Sequence, residues 1–195
     1  MKKVISAMQI SVDGYIEDPE AKQDWVNNWE DEYGLIDQVD TCVLGNGMYD
    51  GYEKYWTSAR ENPKGVLPFS GELPTPGEVA YAEWAAKTPH IVVSRTRKPQ
   101  DVKWKNTRVI SDLEDIRQLK GQSGKDIHVV GGATLVSSMI NAGLVDEIRL
   151  MVNPVLLSGG KALFKDVTDR HYLKLVAADQ REPGKVYLIY GVKSR

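Results

Sequence analysis

Two adjacent glycines, Gly131 and Gly132, separate a strand-like run from a helix-like segment without leaving room for a loop. The amino terminus of a helix carries unpaired N–H groups and the positive end of its dipole, and glycine lets a phosphate approach the backbone closely. The stretch VVGGATL therefore indicates a diphosphate site, with a tight turn as the alternative interpretation. The sequence contains neither G-x-G-x-x-G nor G-x-x-x-x-G-K-[ST], which argues against an ordinary Rossmann site and against a P-loop.

Two further stretches place polar side chains or glycines directly after a strand. In VVSRTRK, the strand ends in Ser94, Arg95 and Thr96, at the edge where α/β sheets bind ligands. The forked, permanently charged guanidinium of arginine suits a phosphate monoester, although a solvent-exposed basic turn is the alternative. In CVLGNGMYDGY, Gly45 and Gly47 follow another strand, and a turn is again the alternative.

Asp24 is the candidate carboxylate for a substrate. We expect it at the start of a helix, with Trp25 beside it as a wall for a flat ring. A buried carboxylate can accept hydrogen bonds from the N–H groups of a heterocycle and favour its protonated form, whereas a helix N-cap role fits Asp24 equally well. The tryptophans that could stack on a ring, or simply belong to the core, are Trp25, Trp29, Trp56 and Trp84.

The elements that must position these residues alternate between strand and helix. Nearly continuous apolar runs predict strands buried on both faces, at Val4–Ile10, Thr41–Leu44, His90–Ser94, Arg108–Ile110, Ile127–Val130 and Glu147–Val152. Helices are predicted at Asp24–Ile36, Glu78–Ala86, Ser111–Leu119 (with Ser111 and Glu114 as a capping box) and Thr134–Asn141. This alternation predicts an α/β protein with a largely parallel sheet. An antiparallel hairpin, Leu173–Ala178 with Lys185–Gly191, and a long loop at 57–75 complete the prediction.

The composition excludes several classes of function. With 195 residues, 42% of them hydrophobic, the chain suits a single domain over residues 1–195. The net charge of -2 and the absence of a like-charge block make nucleic acid an unexpected partner. No apolar window approaches the roughly 18 to 20 residues of a membrane span. Because Cys42 is the only cysteine and the histidines lack metal-ligand spacing, we expect no metal site and a cytoplasmic protein.

Several stretches, in this order, resemble the dihydrofolate reductase-like proteins, and more closely the branch related to the reductase domain of riboflavin biosynthesis. They are SVDGYI, LGNGMYDGYEKYW, VVSRT, HVVGGATLVSSMI and DEIRLMVNPVLLSGGKALF, and together they cover nearly the whole chain. The resemblance implies a three-layer α/β/α fold, with a mixed, mostly parallel sheet of about eight strands and an antiparallel carboxyl-terminal hairpin. It also implies NADPH as cofactor, hydride transfer to a reduced-pterin or pyrimidine-type small molecule, and a homodimer as an assembly to test.

The same resemblance assigns roles to individual residues, and it implies a cis peptide between Gly131 and Gly132. The residues that would hold the diphosphate are Gly131, Gly132, Ala133, Thr134 and Leu135. The residues for the adenosine and its 2′-phosphate are Ser94, Arg95 and Thr96, and those on the other side of the cofactor are Gly45, Asn46, Gly47 and Met48. The nicotinamide would meet the backbone of Met8, Gln9 and Ile16, with Val130 under its ring.

Two positions depart from the family pattern. Where the family usually carries an arginine after the first glycine of the second motif and a threonine two positions later, this sequence has Asn46 and Met48. The zinc deaminase domain of the bifunctional riboflavin enzymes is also missing, since its His/Cys/Cys ligands cannot be assembled from one cysteine, so we expect a stand-alone reductase. A nucleotide- or pterin-binding protein without turnover, and a diverged reductase for an unrelated carbonyl or flavin, remain as alternatives.

Overall fold

A mixed sheet with helices on both faces forms the frame of the protein. The computed structural model describes residues 1–26 and 28–193. The strands in this part of the chain are β1 (Val4–Ser11), β2 (Tyr15–Glu17), β3 (Val39–Gly45), β4 (His90–Val93), β5 (Thr107–Ile110), β6 (Asp126–Gly131), β7 (Glu147–Asn153), β8 (Lys161–Ala162), β9 (Leu173–Arg181) and β10 (Lys185–Val192). The α-helices there are α1 (Asn46–Glu61), α2 (Pro76–Ala85), α3 (Glu114–Lys120) and α4 (Ala133–Asn141), and a short 3-10 turn spans Pro99–Asp101.

The main sheet has eight strands in the order β5-β4-β3-β6-β1-β7-β10-β9. Neighbours from β5 to β7 run parallel, whereas β10 is antiparallel to both β7 and β9. Strands β2 and β8 pair separately as a small antiparallel ribbon. The mostly parallel sheet and the antiparallel carboxyl-terminal hairpin confirm the predicted fold class.

Two hydrophobic clusters, one on each face, explain why the central strands read as continuous apolar runs. Val4 and Ile127 pack with α3 and α4 on one face, while Ile5 and Cys42 pack with α1 and α2 on the other. All eight residues of β1 are buried. A strand covered on both faces has no solvent side that would require polar alternation.

Helix α1 was not predicted, and its last residues occupy the start of the loop predicted at 57–75. Its buried face carries Tyr49, Tyr52 and Trp56, which recur at helical spacing. Gly47 and Gly51 lower the intrinsic helix propensity of this segment. The aromatic packing against β3 and α2 outweighs that local preference.

The helix predicted at Asp24–Ile36 is wrong: residues 24–26 and 28–36 form turns and irregular chain, and Asn27 lies outside the described residues. Side-chain carboxylates take the backbone N–H groups that a helix would need. Asp31 accepts from the N–H groups of Tyr33 and Ile36, at 3.2 and 2.8 Å. Such local side-chain bonds compete directly with helix formation.

Helices α3 and α2 begin differently from the prediction. Helix α3 begins at Glu114, whose N–H donates to Asp112 at 2.9 Å, so the capping box predicted with Ser111 is not formed. Helix α2 begins instead with a complete capping box between Thr75 and Glu78. Among the described residues, no helix combines the length and apolarity needed to cross a membrane.

Candidate active site

A cleft of about 1050 Å³ opens at the carboxyl ends of β3, β4 and β6. This is the edge at which open α/β sheets bind ligands. Sites for one small molecule usually occupy roughly 300–1,000 Å³, so this cleft is at the upper end of that range and suits a large ligand. One half lies over the strand ends, and the inner half runs between the sheet, α1, α2 and the segment 28–36.

Helices α1 and α4 both begin at the half of the cleft over the strand ends. Their N-cap residues, Gly45 and Gly132, provide no side chain to cap the first turn. The N–H groups of both first turns therefore lack a capping side chain where they face the cleft, as anion sites at helix termini require. The Gly131–Gly132 peptide bond is cis, which confirms the expectation from the sequence.

Gly131 has a φ of +133°, a conformation that residues with a Cβ rarely adopt. A Cβ placed there would also lie 3.1 Å from the Sδ atom of Met48 and 3.2 Å from that of Met8. Met48, which replaces the usual threonine, thus packs directly against the glycine pair. These contacts restrict position 131 to glycine.

Two arginines follow β4, and among the described residues only Arg97 has hydrogen-bond partners, whereas Arg95 has none. Arg95 is exposed at the rim of the cleft and forms no hydrogen bond or ion pair with any described residue. The Ser94 hydroxyl accepts from the N–H groups of Thr96 and Arg97, at 3.2 and 2.9 Å, which closes the turn around Arg95. The guanidinium of Arg95 is therefore available to an anionic ligand.

Arg97 joins the end of β4 to the start of α1. Its Nη1 and Nη2 atoms donate to Asp50 at 2.9 and 2.7 Å, and its Nε atom donates to Oδ1 of Asn46 at 2.7 Å. The hydrogen bond from Arg97 lowers the pKa of the Asp50 carboxyl. Asn46, where the family usually has arginine, thus recruits a cation from the next strand, but Asp50 balances its charge.

The segment 28–36 walls the inner half of the cleft and is fixed from below by buried cations. Arg149, 7% exposed on β7, donates to the Tyr33 carbonyl, to Gln38 and to Glu147, each at 2.7 Å. Lys185 on β10 is 2% exposed and donates to Glu32 at 3.1 Å. Buried charges with good partners hold a chain segment firmly, because losing a partner leaves the other charge uncompensated.

Glu78 of α2 fixes the same segment from the other side. Its Oε1 atom accepts from the Trp29 N–H at 3.0 Å and from the Tyr55 hydroxyl at 2.6 Å, and its Oε2 atom accepts from the Thr75 N–H at 2.9 Å. The Gln9 side chain also donates to the Asn28 carbonyl at 2.8 Å. The inner wall of the cleft is therefore an ordered loop attached to β1, α1 and α2.

Asp31 and Glu30 are the two carboxylates of this loop that line the cleft. Asp24, in contrast, is exposed and is not among the lining residues. Asp31 accepts from two backbone N–H groups of its own loop, whereas Glu17 forms an ion pair with Lys161 at 3.2 Å and Glu30 accepts from the Thr75 hydroxyl at 2.8 Å. The structure thus places Asp31, and not the predicted Asp24, in the wall of the cleft.

Aromatic side chains form the walls of the inner half, namely Trp29, Tyr33, Tyr52, Tyr55, Trp56, Phe69 and Tyr81. Behind them, the Tyr52 hydroxyl lies 3.1 Å from the Tyr81 hydroxyl and 3.3 Å from Nε2 of His90. Aromatic walls with few polar groups suit a flat heterocycle. The described residues contain no group of three or more His, Cys, Asp or Glu side chains that could hold a metal ion.

Comparison with known proteins identifies the family of this chain. The family model described as the RibD C-terminal domain matches residues 2–187. The uncharacterized protein YyaP of Bacillus subtilis (strain 168) is 32% identical over 194 residues, covering 97% of this chain and 94% of that protein. The chain belongs to the RibD C-terminal domain family.

Two solved structures share the fold of this RibD C-terminal domain chain. A candidate riboflavin biosynthesis protein from Shewanella sp. PV-4 matches with a TM-score of 0.73 and 20% identity, over 98% of this chain and 99% of that one. Dihydrofolate reductase from Enterococcus faecalis, in complex with NADP(H), matches with a TM-score of 0.61 and 13% identity, over 98% and 96%. The fold is therefore reductase-like and related to dihydrofolate reductase, as the sequence indicated.

The structure brings nearly all of the predicted cofactor residues together. Those that line the cleft are Met8, Gln9, Ile16, Gly45, Asn46, Gly47, Met48, Ser94, Arg95, Thr96, Val130, Gly132, Ala133, Thr134 and Leu135. Gly131 lies directly behind Met48 and Met8. Of the four tryptophans considered for stacking, Trp29 and Trp56 line the cleft and the other two do not.

Sequence reasoning missed most of the inner half of this RibD C-terminal domain site. The missed residues that matter for its chemistry are Asp31, Tyr33, Tyr52, Tyr81 and His128. The helical spacing of the aromatic residues in α1 was a usable signal for Tyr52. Asp31 and His128 carried no local signal, because one lies in an irregular loop and the other in the middle of a strand.

Proposed function

We propose that this chain is a single-domain, NADPH-dependent reductase that transfers hydride to a pterin- or pyrimidine-type small molecule. The observation that supports it is one continuous cleft. It joins two uncapped helix termini and the unpaired Arg95 to an aromatic inner half that contains Asp31. The dihydrofolate reductase with the same fold is in complex with NADP(H), which favours the same cofactor here.

The residues over the strand ends fit NADPH, which when bound supplies the hydride. The first-turn N–H groups of Ala133, Thr134 and Leu135 would bind the diphosphate, and Arg95 would bind the 2′-phosphate with Ser94 and Thr96 beside it. Met8 and Val130 are buried residues of the central strands that line the floor of the cleft. They would exclude water from one face of the nicotinamide, and the cleft would hold the two reactants in contact.

Asp31 takes the role that the sequence suggested for Asp24. Its carboxylate would accept hydrogen bonds from ring N–H groups and favour the protonated form of the ring that receives the hydride. The bonds from the Tyr33 and Ile36 N–H groups fix its orientation before a ligand arrives. A carboxylate held in this way does not lose conformational freedom when the substrate binds.

The test is NADPH oxidation, followed by absorbance, against a panel of dihydropterins and aminopyrimidinones. Oxidation of NADPH that depends on one panel member supports the reductase. Tight binding of NADPH, with no panel member oxidising it, would favour a binding protein without turnover. Oxidation that depends only on an unrelated carbonyl or flavin would replace the proposed substrate class while keeping the reductase.

The assembly and the location are part of the same proposal. Exposed apolar side chains on the last two strands support a homodimer, namely Leu173, Leu175, Val176 and Val186. Light scattering during size-exclusion chromatography would measure the mass, and a monomer at micromolar concentration would count against it. A cytoplasmic location stays a prediction; Cys42 is a free, buried thiol.

A further inference from the structure

Two buried polar side chains in the inner half of the cleft lack the hydrogen bonds that buried groups normally make. Neither ring nitrogen of His128, which is 5% exposed, makes a hydrogen bond of normal geometry with a described residue, and the backbone of Ala7 is only a weak partner that acts on its pKa. The hydroxyl of Tyr33 has no partner among the described residues. Both residues line the cleft. Most buried polar groups in proteins are hydrogen-bonded, so each exception in a cavity wall invites a functional explanation.

His128 belongs to the floor of the inner half. In the sheet it lies between Ile5 of β1 and Cys42 of β3, which are its partners in register and pack toward α1 and α2. Val130, two residues later, faces the same side, about 7 Å further along at roughly 3.3 Å per residue. His128 therefore lies one side-chain repeat deeper in the cleft than Val130, the residue expected under the nicotinamide.

The imidazole of His128 is neutral near pH 7. Burial lowers its pKa to about 4, although a weak hydrogen bond to the backbone of Ala7 and the charge of Asp31 oppose this shift. A neutral imidazole presents one N–H donor and one acceptor nitrogen. The Tyr33 hydroxyl adds a group that can donate or accept, and Asp31 in the same half of the cleft adds two acceptor oxygens.

His90 shows what a structural histidine looks like on this face of the sheet. His90 on β4 and His128 on β6 are both partners of Cys42 in register, one on each side of β3, and both are buried. The Nδ1 atom of His90 lies 2.7 Å from the Thr88 carbonyl and its Nε2 atom 3.3 Å from the Tyr52 hydroxyl. The protein thus satisfies one of two neighbouring buried histidines and leaves open the one that borders the cleft.

We propose that His128 and Tyr33 are substrate-binding side chains, and that with Asp31 they recognise a heterocycle edge that carries both a hydrogen-bond donor and an acceptor. An N–H next to a ring carbonyl, as in a pyrimidinone or a pterin, has this pattern. The inference rests on the proposed function and narrows its substrate class. It excludes substrates that would place an apolar edge on the floor, because His128 would then stay unpaired.

The first test is thermal unfolding without any ligand. Replacing an unpaired buried polar side chain by an apolar one of similar length removes no hydrogen bond. We expect His128→Met to melt at or above the temperature of the wild-type protein, and His90→Met, the matched control, to melt lower. A fall for His128→Met as large as that for His90→Met would show that His128 is structural and would overturn the inference.

The second test is binding of 7,8-dihydropterin and 5,6-diaminouracil, followed by the fluorescence of the cleft tryptophans, with and without saturating NADP⁺. We expect His128→Met to lower the affinity for the probe about 10-fold, which corresponds to 1.4 kcal/mol, and to leave the NADP⁺ affinity unchanged. His128→Gln, which keeps a donor and an acceptor, should recover most of the loss. An unchanged probe affinity in His128→Met would overturn this inference but would leave the proposed function standing.

The same titrations separate this inference from the proposed function. A wild-type protein that binds NADP⁺ but neither probe would overturn the pterin or pyrimidine substrate class, and this inference with it. A protein that binds the probes but not NADP⁺ would overturn the proposed cofactor. In that case the titrations without NADP⁺ still decide whether His128 contacts the heterocycle.

Discussion

Replacing Arg95 should separate NADPH from NADH. The Arg95 guanidinium is unpaired at the rim of the cleft, next to Ser94 and Thr96, so Arg95→Ala disturbs no hydrogen bond within the described chain. A charge-assisted hydrogen bond contributes roughly 1.5–3 kcal/mol, which corresponds to about 10- to 100-fold in affinity. Because Arg95 is exposed and screened by solvent, we expect the lower end of this range, about 10-fold, and a smaller effect at high salt.

The measurement is the dissociation constant of each cofactor by isothermal titration calorimetry, at low and high salt. NADPH should bind Arg95→Ala about 10-fold more weakly, whereas NADH, which lacks the 2′-phosphate, should bind as it does to the wild-type protein. Arg97→Ala is the matched control two residues away. Its guanidinium bridges Asp50 and Asn46, so its loss should lower the melting temperature and weaken both cofactors alike.

Equal losses of NADPH and NADH in Arg95→Ala would refute this reasoning, since they would show that Arg95 shapes the cleft instead of binding a phosphate. An unchanged NADPH affinity would place the 2′-phosphate elsewhere. Arg95→Lys should retain part of the preference, because lysine keeps the charge but loses the forked geometry.

Three further outcomes follow from the inner half of the cleft and its supports. Asp31→Asn should lower kcat/KM by about 100-fold or more and change its pH profile without changing NADPH affinity, while Asp24→Asn should behave like the wild type. Normal turnover in Asp31→Asn would show that Asp31 has no part in the mechanism. Arg149→Met should cost about 3–5 kcal/mol of unfolding free energy and lower the melting temperature by roughly 10 °C, and a calorimetric shift of only one or two degrees would contradict its anchoring role. Burial lowers the pKa of His90 and of His128 from 6.5 to about 4, so the unfolded state binds more protons between these values and stability should fall as pH drops from 6.5 to 4, by about 3 kcal/mol for each histidine. Urea unfolding at a series of pH values measures this slope, and His128→Met should reduce it by about half.

The half of the cleft over the strand ends could be predicted from the sequence because its parts are contiguous. A buried strand, a glycine and a helix start succeed one another at Gly45 and again at Gly131. Each such junction places backbone N–H groups at the carboxyl edge of the sheet, whatever the rest of the chain does. The motifs therefore located the ends of β3, β4 and β6 without any knowledge of how these strands pair.

Local pattern failed where long-range contacts override propensity. The segment after Asp24 has helix-like apolar spacing, yet Arg149 and Lys185, more than a hundred residues away, hold it as a loop. The family arginine missing at Asn46 was visible in the sequence, but the contact of Asn46 with Arg97 required β4 to lie beside β3. Among the contacts that decide these outcomes, the Asp31 bonds to the Tyr33 and Ile36 N–H groups are local, whereas the bonds from Arg149, Lys185 and Arg97 leave no trace within a short window of residues.

The sequence by itself determined the buried parallel strands, the antiparallel hairpin and the glycines at the strand–helix junctions, because apolar runs and such junctions are properties of neighbouring residues. Only the tertiary structure decided the inner half of the cleft, since Asp31, Tyr52, Tyr81 and His128 come from a loop, two helices and a strand that meet only when the sheet is assembled. The physical reason is that a side chain becomes a binding group through its burial and its missing or present partners. His90 and His128 are alike in sequence context, and only the fold pairs one and leaves the other open to the cleft.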